Sequence, residues 1–375
     1  MIRATTQPYA LSGQPARGPG RRPVGRGRLG LLREHDAVEA PVRIALLGPI
    51  AWRTPPRAYG PWELVVSLLA DGLAERGVDV TLFATLDSLT SATLEGVCPR
   101  PYNEDPELDG RVWEALHTGH CLSRSGDFDI VHNHMDWLPL TMSHMCLSRM
   151  LTTIHGFGDR RIMPAYQRAA SAFVSISDAD RTSELQYLAT VHHGIEMSQW
   201  PYEPVPGDAL VVLGRIHPDK ATADAIEIAR RVGRVLLICG PVQDQRYYTD
   251  LVAPHVDGER VRYLGNIGGE ERRRVLSRAA ALLHPLGFDE PFGLSVIEAM
   301  ACGTPVVGYR RGALPETVDN GVTGMLVDGI DAAVVALPDA MALDRARIAA
   351  VARERFSSAR MVDQYLEVYE RLLAT

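Results

Sequence analysis

The sequence predicts an α/β protein in which two Rossmann-like parallel sheets face a cleft. Three observations predict it. The 375 residues correspond to about two domains at roughly 150 residues each. Short, near-continuous apolar runs alternate with helical stretches, as in strands buried on both faces of a parallel sheet. The alternation stops and restarts around Glu196–Asp208, where Pro201, Pro204 and Pro206 mark a linker.

Composition narrows the class. With 46% hydrophobic and 23% charged residues the chain has enough apolar matter for a core, which excludes disorder as its main state. No apolar run approaches the ~20 residues of a membrane-crossing helix. The net charge of -7 disfavours nucleic acid and anionic membrane as general partners, leaving at most weak peripheral membrane contact. Five scattered cysteines, Cys98, Cys121, Cys146, Cys239 and Cys302, fit a reduced cytoplasm. Of the 39 Lys and Arg residues only Lys220 is a lysine. A compact ammonium and a planar guanidinium are not interchangeable, so that position invites scrutiny.

Residues 1–41 are rich in Arg, Gly and Pro without an apolar period and read as a disordered tail. They lack the apolar segment of a secretory signal. An over-long start of the reading frame is the reading taken, with a transit peptide as the alternative. Gly25-Arg26-Gly27-Arg28-Leu29-Gly30 matches G-x-G-x-x-G, but no strand precedes it, so no dinucleotide site is assigned there. The first domain spans 42–200, with strands at Val42–Leu47, Val78–Phe83, Ile130–His132, Leu151–Ile154 and Ala172–Ser175. Its first helix begins at Pro61, carries Trp62, Val65, Val66, Leu69 and Leu73 on one stripe, and stops at Gly77. The second domain spans 208–356, with strands at Leu210–Leu213, Val235–Ile238, Val261–Tyr263, Ala281–Leu283 and Pro305–Val307. Ala359–Leu373 is a helix with Met361, Tyr365, Val368 and Leu372 on one face. Ligands of open parallel sheets sit beyond the carboxyl ends of the strands, so the site is sought in the loops there.

Two segments carry the chemistry. In Glu290-Pro291-Phe292-Gly293-Leu294-Ser295-Val296-Ile297-Glu298 the chain turns at Gly293 into a short helix ending at Gly303. A helix start behind a glycine offers free backbone N–H groups to a phosphate at Gly293–Ser295. Glu298, one turn further, is placed to accept two bonds from a vicinal diol such as a ribose, and Glu290 to reach a sugar hydroxyl. In Gly214-Arg215-Ile216-His217-Pro218-Asp219-Lys220, directly after a strand, two cations flank a turn and can neutralise a diphosphate from two sides. Gly60 lets backbone approach a ligand at a helix start. His132, His134 and His155 follow strands. His132 reads as a core or hydrogen-bonding residue, His134 and His155 as hydrogen-bonding residues of the cleft. No HExxH or acidic cluster accompanies them, and no metal site is assigned.

Together with Thr153-Ile154-His155-Gly156, these segments resemble the retaining glycosyltransferases of family 4, which have the GT-B fold. The resemblance runs from Val42 to the C-terminal helix. It implies a nucleotide diphosphate sugar as donor, a small-molecule or glycan acceptor, no cofactor and no metal. Arg215 and Lys220 would hold the diphosphate with the N–H groups of Gly293, Leu294 and Ser295. Glu298 would hold the ribose, and Glu290 and His155 the donor sugar. Gly240 and the backbone at Tyr263–Asn266 would frame the base. Gly60 would close on the phosphates from the first domain, and His134 would lie near the acceptor. The C-terminal helix, 357–375, would cross back onto the first domain. The implied mechanism is front-face transfer with retention of configuration. Departures from the family pattern are Tyr59 before Gly60, Ala221 after Lys220, and His193. Loop 50–57 is expected to shape acceptor choice. Two other readings remain: a sugar-nucleotide 2-epimerase of related fold, and a non-catalytic nucleotide-sugar-binding protein.

Overall fold

A computed structural model of the chain describes residues 41–156 and 160–375. The Arg-rich tail and its glycine pattern therefore lie outside the described residues, apart from Pro41. Among the described residues thirteen strands form two wholly parallel sheets. The first contains β1 (Arg43–Leu47), β2 (Asp79–Phe83), β3 (Thr93–Glu95), β4 (Ile130–Asn133), β5 (Arg149–Ile154), β6 (Ala172–Ser175) and β7 (Tyr187–Thr190), in the order β3-β2-β1-β4-β5-β6-β7. The second contains β8 (Leu210–Leu213), β9 (Leu236–Cys239), β10 (Val261–Tyr263), β11 (Ala281–His284), β12 (Val306–Tyr309) and β13 (Gly324–Val327), in the order β10-β9-β8-β11-β12-β13. Strand order reverses between β1 and β4 and again between β8 and β11. These are the two places where a crevice opens above a doubly wound sheet. This is the GT-B architecture.

The central strands coincide with the apolar runs to within a residue or two. β3, β7 and β13 have no counterpart in the sequence reading. All three are edge strands, and β3 and β7 are wholly half-buried or exposed, so they lack the continuous apolar signature of a strand covered on both faces.

The long helices are α1 (Pro61–Glu75), α2 (Gly110–Ser123), α3 (Thr222–Arg231), α4 (Gly269–Arg278), α5 (Leu294–Ala301), α6 (Ile330–Met341), α7 (Arg345–Phe356) and α8 (Ser358–Ala374). α8 buries Met361, Val362, Tyr365, Val368, Tyr369 and Leu372 in one cluster with Val65, Val66, Leu69 and Leu73 of α1. The C-terminal helix thus belongs to the core of the first sheet. The two helices approach so closely at Gly72 that a Cβ there would meet the Val362 side chain at 2.6 Å. Trp62 departs from the expected apolar stripe of α1. It is only half-buried and stacks on His155, with ring centroids 5.1 Å apart.

The chain passes between the sheets twice, and the two passages pair. The Ile195 N–H donates to the Phe356 carbonyl and the Ser358 N–H to the Ile195 carbonyl, both at 2.9 Å. Gly194 has room for this only because it has no side chain, since a Cβ would meet the Ser357 carbonyl group. The Pro-rich passage is pinned by Arg345, a buried guanidinium that donates to the carbonyls of Glu203, Ser277 and Ala279.

Tyr365 and Tyr369 are fully buried, and their hydroxyls bond Thr153 (2.8 Å) and His132 (2.7 Å). Tyr365→Ala or Tyr369→Ala removes a buried aromatic ring and its bond together. Each is expected to cost about 3–5 kcal/mol in a urea titration of the whole chain.

Candidate functional site

Loops from both sheets enclose a cavity of about 410 Å³, within the ~300–1,000 Å³ typical of small-molecule sites. Its second-domain wall is built at the β8–β11 reversal. Gly214 leaves β8 with its N–H on the Cys239 carbonyl, 3.0 Å away. The Gly240 backbone presses against that of Gly214 so tightly that no Cβ fits between them. A single turn, Pro218–Lys220, follows and is capped by the His217 side chain. Ala221 then takes a left-handed conformation, φ 45°, to start α3. Glycine adopts that geometry without strain, which accounts physically for the glycine expected there.

Lys220 is not a free cation. Its ammonium bonds Glu290 Oε1 and lies 4.9 Å above the Phe288 ring. Glu290 Oε2 in turn bonds His284 Nε2 at 2.7 Å. Burial alone would raise the Glu290 carboxyl. The Lys220 ammonium and the His284 bond outweigh it and hold the pKa at about 2. Arg215 reaches the cavity with its guanidinium on Gln243 Oε1. At Gly293, φ 94°, the chain turns into α5, so the first N–H groups of that helix have no intrahelical acceptor and Gly293, Leu294 and Ser295 face the cavity.

Glu298 lies on the wall at 1% exposure but already has a partner, the Arg272 guanidinium. Burial raises its pKa despite that pairing. The sequence reading missed Arg272 because it opens the run Arg272-Arg273-Arg274, and nothing along the chain says which of three arginines turns inward. His284, Phe288 and Gln243 were missed likewise. Their contacts join loops that are distant in sequence.

The first-domain wall comes from the loop after β1 (Pro56, Ala58, Tyr59, Gly60), the start of α1 (Pro61, Trp62, Leu64), and His155, Gly156, Ile176 and His193. Gly60 packs on the Pro56 side chain at a φ of 153°. His155 does line the cavity, yet its ring nitrogens are already engaged, Nε2 with His134 Nδ1 (3.0 Å) and Nδ1 with His193 Nε2 (3.3 Å). Burial depresses its pKa to about 3 and those of His134 and His193 well below the usual value, with their mutual repulsion adding to the effect on the latter two.

Three expectations are corrected. His134, expected beside the acceptor, is completely buried and stands behind His155 instead of on the wall. His155, expected to hold the donor sugar, has no ring nitrogen left over for it. Tyr263, whose backbone was expected to frame the base with that of Asn266, does not line the cavity. Its hydroxyl donates to the Gly240 carbonyl at 2.9 Å and props that loop from behind, while Asn266 and Gly240 do line it. His132 has its two nitrogens on Tyr369 and Thr153 and sits in the core. Among the described residues no group of three or more His, Cys, Asp or Glu is placed to hold a metal ion.

The family described as Glycosyl transferases group 1 matches residues 207–342, the domain that carries Arg215, Lys220, Glu290 and Glu298. A D-inositol 3-phosphate glycosyltransferase of Saccharomonospora viridis is 36% identical over 84% of this chain and 90% of its own length. The chain belongs to the group 1 glycosyltransferases. A glycogen synthase of Mycobacterium tuberculosis is 29% identical over 82% of this chain and 89% of its own. Among solved structures, Anabaena HepE in complex with UDP and glucose superposes with a TM-score of 0.68, at 17% identity, over 88% of this chain and 99% of that one. This glycosyltransferase shares their two-sheet fold.

The buried groups predict an uneven acid response. Between pH 6.5 and about 4.5 the buried neutral histidines, His117, His132, His134, His155 and His193, lack protons that the unfolded chain binds, so they lose stability as pH falls. Over the same range Glu63 and Asp180 (about 7 each) and Asp136 (about 6) take up protons that the unfolded chain lacks, so they gain stability as pH falls, and burial pushes Glu298 in the same direction. Below about pH 4 those acids are protonated in both states. Losses then dominate, from the histidines, from Glu290 as pH falls toward its folded value of about 2, and from Asp105, Glu196 and Asp257, which hydrogen bonds hold low. With five histidines against fewer acids, urea midpoints are expected to fall from pH 6.5 to 4.5, but less steeply than the histidines alone would dictate. Below that, stability is expected to fall by more than the ~1.4 kcal/mol per pH unit of a single proton.

Proposed function

We propose that this glycosyltransferase moves a sugar from a nucleotide diphosphate sugar to an acceptor hydroxyl, with retention of configuration and without a metal ion. One observation carries the reading. Arg215, Lys220 and the free N–H groups at the start of α5 converge on one side of a cavity whose other side is the first domain. That is a diphosphate site facing room for a second substrate. The solved complex of HepE with UDP and glucose supports a donor of this class.

In this reading the diphosphate lies between the two cations and the N–H groups of Leu294 and Ser295. Glu298, steadied by Arg272, accepts from the ribose diol. Gly240 and Asn266 flank the base. Glu290, kept anionic by Lys220 and His284, accepts a hydroxyl proton of the donor sugar. His155 shapes the sugar pocket with its ring and not with a nitrogen. The acceptor oxygen bonds the anomeric carbon on the face from which the diphosphate departs. The carbon–oxygen bond to phosphate breaks, and the acceptor proton passes to a phosphate oxygen. No covalent enzyme intermediate forms. The protein contributes fixed charge at the departing diphosphate and holds two substrates in register. Closure of the first domain keeps water from the donor. The setting proposed is the cytoplasm, where the five free cysteines stay reduced.

The test is a thermal-shift and hydrolysis panel of UDP-, GDP-, ADP- and dTDP-sugars. A ligand bound by the folded state alone adds roughly 2.7 kcal/mol of stability at a hundred times its dissociation constant. One nucleotide is expected to stabilise the protein, its sugar to be released slowly, and EDTA to change neither. Arg215→Ala and Lys220→Ala each remove a charge-assisted contact of about 1.5–3 kcal/mol, so nucleotide affinity is expected to fall roughly 10- to 150-fold. A folded Lys220→Ala variant with normal turnover, or an inverted anomer in the product by NMR, overturns the proposal.

A further inference from the structure

We infer that the acceptor is an uncharged sugar or glycoside whose ring lies against Trp62, and not a phosphorylated one; this rests on the glycosyltransferase reading above. The two walls of the cavity differ sharply in charge. Among the described residues, its cationic side chains, Arg215, Lys220 and Arg272, all come from the second domain, where the donor diphosphate sits. Lys220 and Arg272 are moreover already paired, with Glu290 and Glu298. The acceptor is left the wall of the first domain. There the surface is Tyr59, Trp62, Leu64 and Ile176, with backbone at Gly60 and Gly156.

The two histidines on that wall do not supply a charge. His155 and His193 bond each other, His155 also bonds His134, and burial keeps all three neutral. The charges next to the wall are of the wrong sign or turned away. Glu63, 3% exposed, stands behind Gly60 and accepts the Trp52 N–H at 3.1 Å. It is a carboxylic acid or an anion, never a cation. Arg57 is directed at Glu104 (3.0 Å) and Asp87 (4.0 Å). Arg53 does not line the cavity, and its Nε–H bonds the Pro55 carbonyl at 3.2 Å.

A phosphate against this wall would lose its water and gain no counter-charge, which is costly for any buried anion. The C–H face of a neutral pyranose or an aromatic aglycone loses nothing comparable and gains contact with the indole. Trp62 is well suited to this. Its ring is fixed by stacking on His155 at an interplanar angle of 22°, and His155 is itself fixed at both nitrogens. Trp62 is thus a rigid platform that costs little to order on binding.

The test uses the chain loaded with whichever nucleotide the panel above identifies. Calorimetry then compares two sets of rings. Phenyl β-D-glucoside and myo-inositol are neutral. Glucose 6-phosphate and D-myo-inositol 3-phosphate are anionic, the last chosen because the Saccharomonospora relative is named for it. The neutral rings are expected to bind at least tenfold more tightly than the phosphorylated ones. Trp62→Ala is expected to weaken phenyl glucoside at least tenfold while nucleotide affinity stays within about twofold. Trp62→Phe, which keeps a ring, should retain most of the binding. Tighter binding of the phosphorylated rings overturns the inference. So does a folded Trp62→Ala variant that binds phenyl glucoside normally, or a nucleotide-loaded protein that binds neither set. If no nucleotide binds at all, it is the glycosyltransferase donor reading that fails, and this inference falls with it.

Discussion

The second domain is organised around one partly buried contact, the Lys220 ammonium on the Glu290 carboxylate. Two loops that leave the sheet on either side of its reversal point are clipped together there, and His284 at the end of β11 completes the clip from below. The loop holding Glu290 is fixed a second time through its backbone, since its carbonyl accepts the Ala313 N–H at 2.9 Å. A side chain at Gly312 would collide with that same backbone. A buried ion pair contributes little net stability, because desolvating both charges offsets their attraction. What it secures is position. The ammonium, the N–H groups at the start of α5 and the carboxylates at either end of the Glu-x7-Glu run are set at fixed separations before any ligand arrives. A lysine suits the spot because its stem runs over the Phe288 ring and its head meets a single carboxylate oxygen, where the flat fork of an arginine would call for two.

On the first domain the corresponding constraint is a row of neutral imidazoles. His155 has one N–H if neutral, yet both its nitrogens are bonded to other histidines, so it donates to one neighbour and accepts from the other. The row is therefore polarised in one direction. Its ends, His134 Nε2 and His193 Nδ1, are buried without a hydrogen-bond partner. Such orphaned atoms are expensive. Their persistence fits a structure in which holding the His155 ring under Trp62 outweighs satisfying every nitrogen. α8 contributes to the same end. Its Tyr369 hydroxyl holds His132, whose ring lies 4.1 Å from that of His134. The last helix of the chain thereby braces the far end of the cleft wall.

This division explains what the sequence could convey. Central strands were legible because burial on both faces demands unbroken apolar runs, and the charged loops of the cavity because glycine, cation and carboxylate types stand together at strand ends. The edge strands β3 and β7 were not, for they need only half a covering. His134 was misplaced for a geometric reason. Alternation puts His132 and His134 on one face, but both faces at β4 are buried, and that α8 covers this one is decided more than 200 residues away. The pairings Lys220–Glu290 and Arg272–Glu298 were hidden in the same way. Residue types forecast a charged site, while the partner of each charge is decided only when separate loops meet.

The contacts across the cleft also order its motion. At the cavity the two domains touch lightly through small groups. Gly156 lies where a Cβ would meet the Pro291 ring at 2.6 Å, and Gly268 packs on Ala58. Farther along, the Glu316 carboxylate accepts the Asp178 N–H at 2.9 Å, the Ala179 N–H at 2.6 Å, and bonds His192 at 3.2 Å. Among the described residues, the two domains join by paired backbone at Ile195–Ser357, with chain connectivity on both sides. Covalent passages cannot part, whereas the glycine contacts and the half-exposed carboxylate can exchange for water at small cost. A hinge at 195 and 357 follows, with Glu316 as the contact broken first. Because Arg215, Lys220 and Glu290 all lie on one side of that hinge, opening would leave their arrangement, the donor site of the proposed function, intact. Trp62 and His155 lie on the other side, so they would face those residues only with the cleft shut. A donor held by a permanent diphosphate site, and a reacting centre assembled only on closure, is the arrangement that protects an activated sugar from water.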